Sequence, residues 1–187
     1  MWNKGLSYRE RHGILTIDTK KGEATSSTID KAKYHHSLGL VFFPAFDWKI
    51  SETHPERQER LLYTRDQIVE EGLLDIPNIR EYNPIVADWD TIERVHVGAP
   101  DLESWVTEAH RVSAGGAIAA ADAVIRGEVD RAFALVRPPG HHAMAMVHGI
   151  RGFCTINIEA VMIQHMRQTY GIKRIAVDRK STRLNSS

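Results

Sequence analysis

The sequence predicts an α/β protein in which helices flank a parallel sheet. Three observations carry that prediction. Leu38 to Phe43 (LGLVFF) is a short apolar run stopped by Pro44. A long stretch after Ser104 repeats its apolar residues at helical spacing. Ala132 to Val136 (AFALV) is followed by a loop, a helical pattern and the apolar run Ile175 to Val177. Strand, loop, helix and strand in that order make a βαβ unit, which implies parallel pairing.

Taken in order, residues 1–37 are polar and mixed, without a sustained period, and read as an N-terminal extension. LGLVFF is the first strand. HPERQERLLYTRDQIVEEGLL then reads as a helix, with Leu61, Leu62, Ile68 and Val69 as its apolar stripe. Pro55 fits an early helix position and Gly72 the stop. Residues 75–100 are irregular, with short strand candidates that include Arg94 to Val97. In the long helix Ser104 is the candidate N-cap, and Glu108 falls in the following turn. Its stripe is Val106, Ala109, Val112, Ala117, Ala120, Val124 and Ile125, and Gly127 fits the C-cap. Gly115 and Gly116 sit inside it, each costing about 1 kcal/mol relative to alanine. Close packing against a neighbouring element would offset that cost. AFALV is a buried-type strand. A helix near Ile158 to Tyr170 follows, then Gly171, then the IAV strand.

The bulk numbers exclude several function classes. With 187 residues the chain is long enough for one domain with a core. Lys+Arg and Asp+Glu number 24 each, so the basic excess of a nucleic-acid binder is absent. The single cysteine, Cys154, allows no internal disulfide, which fits a reducing compartment. No apolar run reaches membrane-spanning length, and MWNKGLSYRERHG lacks the apolar region of a signal peptide, so the cytoplasm is expected. Most of the ten histidines stand singly in polar stretches and read as surface residues.

His141 and His142 are different. They follow Arg137-Pro138-Pro139-Gly140 directly after AFALV, and ligands of parallel sheets sit at the carboxyl ends of strands. Imidazole titrates near neutral pH, so one ring could take a proton while its neighbour supports charge at an acyl centre. The prolines stiffen the approach, and Gly140 permits a backbone shape that could turn both rings inward. Chelation of one metal by adjacent residues is less natural than by H-x-x-x-H on a helix. One ring satisfied in the core with the other exposed is the plain alternative.

RPPGHHAM followed by RGFCTIN resembles the signature of the zinc-dependent histone deacetylase family, which includes acetylpolyamine amidohydrolases and acetoin-utilisation proteins. HPERQERL at His54 to Leu61 resembles the family's HPExPxR motif, with Gln58 where proline is usual. The segment from Glu108 to His142 is most similar to the bacterial and class II branch. The resemblance covers about residues 38–177 and implies a three-layer arginase/deacetylase-like fold, here truncated. It also implies zinc-dependent hydrolysis of an acetyl amide, on an acetylated lysine side chain or an acetylpolyamine.

By position, His142 resembles the family's general base and His141 the electrostatic partner. Gly152 and Phe153 match the Gly-Phe pair, whose glycine carbonyl holds substrate and whose ring walls the acyl-lysine tunnel. Arg60 aligns with the arginine of the acetate-release cavity, or is a helix-surface arginine. Asp101 stands where the family often carries a substrate-binding aspartate, or is a cap. Cys154 matches a cysteine beside the site, with burial as its expected role. The family's zinc ligands are an Asp-x-His pair just after the strand that begins here as IAV, and a later aspartate. They match no position in this chain, so zinc is expected only in the full-length protein. The family's transition-state tyrosine or histidine is missing too.

The last ten residues, DRKSTRLNSS, are codon for codon the one-frame translation of a common sequencing-adapter DNA, GATCGGAAGAGCACACGTCTGAACTCCAGT. Residues 178–187 are therefore expected to be an artefactual tail, and residues 38–177 the N-terminal part of a deacetylase domain. Two rival readings remain at this level. One is a thiol hydrolase using Cys154 with His148 or His142. The other is a non-catalytic acyl-lysine binding module.

Overall fold

In the computed structural model the described residues are 36–51, 53–97, 105–145 and 153–178. The elements run β1 (Leu38–Phe43), α1 (Glu59–Glu70), a 3-10 turn (Leu73–Asp75), β2 (Ile79–Tyr82), α2 (Trp89–Glu93), α3 (Trp105–Ile125), β3 (Arg131–Val136) and α4 (Ile158–Tyr170). Three strands form a parallel sheet in the order β2-β1-β3. The α/β class with flanking helices is as the sequence predicts.

Side chains alternate across a strand, so the contacts assign the two faces of the sheet. Val41 and Val136 meet α3 at Gly116. Phe42 and Glu81 are of opposite parity and meet Arg65 of α1, whose guanidinium stacks on Phe42 at 5.3 Å and bonds Glu81 at 3.0 Å. Helices therefore lie on both faces, unequally. A core cluster lies on the α3 side, where Ala87, Ile92, Ala114, Ile118, Ile156 and Val161 join α2, α3 and α4. Burying each isoleucine there contributes about 1.5–3 kcal/mol.

The two mid-helix glycines are explained by contact. A Cβ on Gly115 would lie 1.8 Å from the carbonyl oxygen of Ile85. One on Gly116 would lie 2.7 Å from Val136 Cγ1. Neither glycine serves flexibility; both let α3 approach its neighbours. α3 ends after Ile125, with Gly127 at φ +71°. In α4 the Asn157 side chain caps the start by accepting from Ala160 N–H at 3.0 Å, and Gly171 closes the end at φ +67°.

Several expectations need correction. Pro55 is not in α1, which begins at Glu59; Glu56 instead turns inward. Of the α1 stripe only Leu61 is buried; Arg65 of the same helix meets Phe42 and Glu81 of the sheet. Arg94 to Val97 forms no strand of its own: Arg94 caps α2, and only Val97 makes an isolated bridge. β3 is less buried than its sequence implies, with Phe133 51% exposed, since the face opposite α3 is only partly covered. Ile175 to Val177 is not a strand in the structure. Among the described residues this three-residue run, flanked by Lys173, Arg174 and Asp178, makes no ladder bond to a strand edge. Residues 1–35, the candidate N-cap Ser104 and residues 179–187 lie outside the described residues, as do Asp101, His148 and Gly152. Among the described residues no helix is long and apolar enough to cross a membrane.

Candidate active site at the carboxyl end of the third strand

The chain leaves β3 through Arg137, whose backbone N–H still bonds Phe43 O at 3.2 Å. Gly140 then packs so closely on α4's approach that a Cβ would lie 2.2 Å from Ile156 O and 2.5 Å from Ile158 N. From there the loop turns outward. Ala143 N–H donates to Gly140 O at 3.0 Å, closing a turn with His141 and His142 at its two corners. That turn brings the imidazoles side by side, with ring centroids 4.2 Å apart. Both residues are exposed. The pairing predicted from sequence is present, but the inward orientation is not, because corner residues of a turn project from the surface.

The loop that starts at Gly140 is tied back at Asn157. Asn157 donates from Nδ2 to Ala143 O at 3.0 Å. Its backbone N–H donates to His96 Nε2 at 3.0 Å, so that nitrogen carries no proton. His96 Nδ1–H therefore donates to Met144 O at 2.9 Å. Burial lowers the His96 pKa below its ordinary value, partly opposed by the Met144 and Ala145 carbonyls, which favour the charged ring. Val97 N–H adds a bond to Ala145 O at 2.7 Å.

Phe153 is held at the far end of the loop. His54 contacts its ring edge-on at 5.3 Å, and Trp48 at 6.4 Å. His54 Nδ1 accepts from Glu56 N–H at 3.0 Å, which fixes that imidazole. His110 lies fully buried, with Nε2 3.1 Å from Phe153 O and 3.3 Å from Thr155 N, and its ring meets Trp48 at 5.6 Å. A single ring nitrogen serves one of those two partners at a time. His96 and His110 are 2% and 0% exposed, so the expectation of surface histidines fails at both. A buried imidazole is a compact donor and acceptor for backbone groups that loops leave unpaired.

Arg137, a charged residue at the end of an apolar strand, is 1% exposed. Nε donates to Glu56 Oε1 at 3.0 Å. NH1 donates to Pro44 O and Ala45 O at 2.6 and 2.9 Å, and NH2 to Trp48 O at 3.1 Å. The guanidinium also stacks on Trp48 at 4.9 Å. Glu56 carries a second ion pair, to Arg60. Arg60 itself is largely exposed, so its described setting is an ion pair at the start of α1. Cys154 is 1% exposed, which supports its expected burial and leaves a surface thiolate without a basis.

The described residues do not by themselves make a zinc site. Among the described residues no group of three or more His, Cys, Asp or Glu side chains could hold a metal ion.

The comparisons agree with this architecture. A family model described as "Histone deacetylase domain" matches residues 101–178. A probable deacetylase of Archaeoglobus fulgidus is 36% identical over 158 residues, covering 74% of this chain and 43% of that protein. The histone deacetylase-like amidohydrolase of Pseudomonas aeruginosa is 47% identical over 70 residues, covering 37% of this chain and 18% of that protein. The polyamine deacetylase HDAC10 of Mus musculus is 29% identical over 153 residues, covering 70% of this chain and 23% of that protein. Among solved structures the HDA15 HD domain superposes with a TM-score of 0.57 at 26% identity, covering 72% of this chain and 44% of that one. The chain thus spans less than half the length of these relatives. It belongs to the histone deacetylase and acetylpolyamine amidohydrolase family.

Proposed function

We propose that the whole protein hydrolyses the acetyl amide of an acetylated lysine side chain or an acetylpolyamine, releasing acetate and a free amine. The observation that supports this most is the imidazole pair, 4.2 Å apart at the carboxyl end of β3, on the loop that leads to Phe153. His142 takes the proton of the attacking water and returns it to the leaving amine. His141, beside it, offsets charge that develops at the acyl centre. Phe153, fixed by His54 and Trp48, offers an aromatic wall for the methylene stem of the amine. In this reading Gly152 and Asp101 contact substrate and Arg60 borders the acetate exit.

Zinc is proposed for the whole protein. The described donor set does not form its site, so the 187-residue chain alone is expected to be inactive. Its setting is proposed to be the cytoplasm. Acetate release from an acetyl-lysine peptide and from an acetylated polyamine, compared side by side in the whole protein, tests the reading and separates the substrates. Chelator-sensitive turnover by the 187-residue chain alone would overturn its expected inactivity.

A further inference from the structure

We propose that Arg137 is the positioning residue of this site, with Glu56 as its counter-ion. The inference rests on the functional reading above, because it concerns how the two halves of that site are kept in register. One half is the loop after β3, with His141 and His142. The other is the wall made by His54, Trp48 and Phe153. Arg137 belongs to the first half by sequence, three residues before Gly140. Yet the partners named for its side chain all lie in the second, at Pro44, Ala45, Trp48 and Glu56.

The chemistry explains why this residue is arginine. A guanidinium offers five donors in a planar fork and a face that stacks on an aromatic ring. Here Nε faces the carboxylate, the two terminal nitrogens reach backbone carbonyls of one loop, and the plane lies over Trp48. Lysine keeps the charge but loses the fork. Glu56 also receives Arg60, so the carboxylate joins α1 to the same knot. Among its described residues, 44–51 and 53–56, this loop holds no strand or helix. The Arg137 side chain thus ties this loop to the end of β3 across 81 residues of sequence. His54 and Trp48, which abut Phe153, move with that loop.

The test uses proton NMR on the 187-residue chain. Wild type should show cross-peaks between the His54 and Phe153 rings and between the Trp48 and His110 rings. Arg137→Lys should weaken both at least five-fold at a temperature where far-UV circular dichroism is unchanged. Val161→Ala, in the core between α3 and α4, should lower Tm and keep both cross-peaks. Full-strength cross-peaks in Arg137→Lys would overturn the proposal. If Arg137→Lys does not fold, Glu56→Gln decides: it keeps the accepting oxygen and the shape, and should weaken the same peaks. Unchanged peaks there would overturn the proposal equally. These readouts need no substrate. Loss of the ring contacts, together with no acetate release by the whole protein, would keep the positioning role and remove the deacetylase reading.

Discussion

The backbone N–H of Asn157 donates to Nε2 of His96 across 3.0 Å, while the same imidazole donates from Nδ1 to Met144 O. One neutral ring therefore joins both ends of the loop that carries His141 and His142. A second proton on that ring would set Nε2–H against the Asn157 N–H. Burial accordingly holds the His96 pKa below its ordinary 6.5. The unfolded chain then binds more protons than the folded one as pH falls. The stability contributed by His96 is fully present above pH 6.5 and is lost as pH drops below that value. Thermal unfolding between pH 5 and 8 should show Tm falling on the acid side. His96→Leu should flatten that limb by up to one proton, and an unchanged limb would contradict the account.

Asn157 should separate two roles. Asn157→Asp keeps an oxygen to cap α4 but loses the Nδ2 donor to Ala143 O. Asn157→Ala loses both. The cap alone is worth about 1 kcal/mol. Hydrogen exchange should therefore speed up around residues 141–145 in both variants, while urea unfolding falls further in Asn157→Ala.

The glycines of close approach should not tolerate alanine. Helix propensity alone predicts that Gly115→Ala stabilises by about 1 kcal/mol. The Cβ contact of 1.8 Å with Ile85 O predicts the opposite, a loss of about 1–3 kcal/mol or more. Gly140→Ala should behave similarly, because its obstacles are the backbone of Ile156 and Ile158. Gly116→Ala meets a valine side chain that can give way and should cost less. Urea unfolding of the three variants checks the order.

Cys154 should be inert in the folded chain. At 1% exposed its thiol is shielded, and iodoacetamide at neutral pH should label it only when denaturant is added. Rapid labelling of the native chain would revive the thiol-hydrolase reading.

The elements most legible in the sequence were those with a strong period or a sharp stop. LGLVFF ends at Pro44, α3 ends before Gly127, and α4 lies between Asn157 and Gly171. Each is fixed by local chemistry that its own residues display. Misreadings came where a distant partner decides. Glu56 follows Pro55 in a helical-looking run, but Arg137 draws its carboxylate inward and α1 starts three residues later. His96 and His110 look like solitary surface imidazoles until the backbone groups they satisfy arrive from residues 144–157. The IAV run has strand composition, but a strand also needs an edge that bonds it. In the site, the His141–His142 juxtaposition followed from Pro-Pro-Gly, whereas their exposure followed from a turn bond that the sequence does not announce. Arg137 carried one weak signal, a charged residue wedged between an apolar strand and two prolines.

The most direct measurement of the central claim is kcat for acetate release by the whole protein, with wild type beside His142→Ala and His141→Ala. Proton transfer by His142 predicts that His142→Ala lowers kcat by about 10²–10⁴-fold with the fold intact. His141→Ala should lower it as well, with a displaced pH profile. Wild-type turnover retained in His142→Ala would contradict the claim that this imidazole pair performs the hydrolysis.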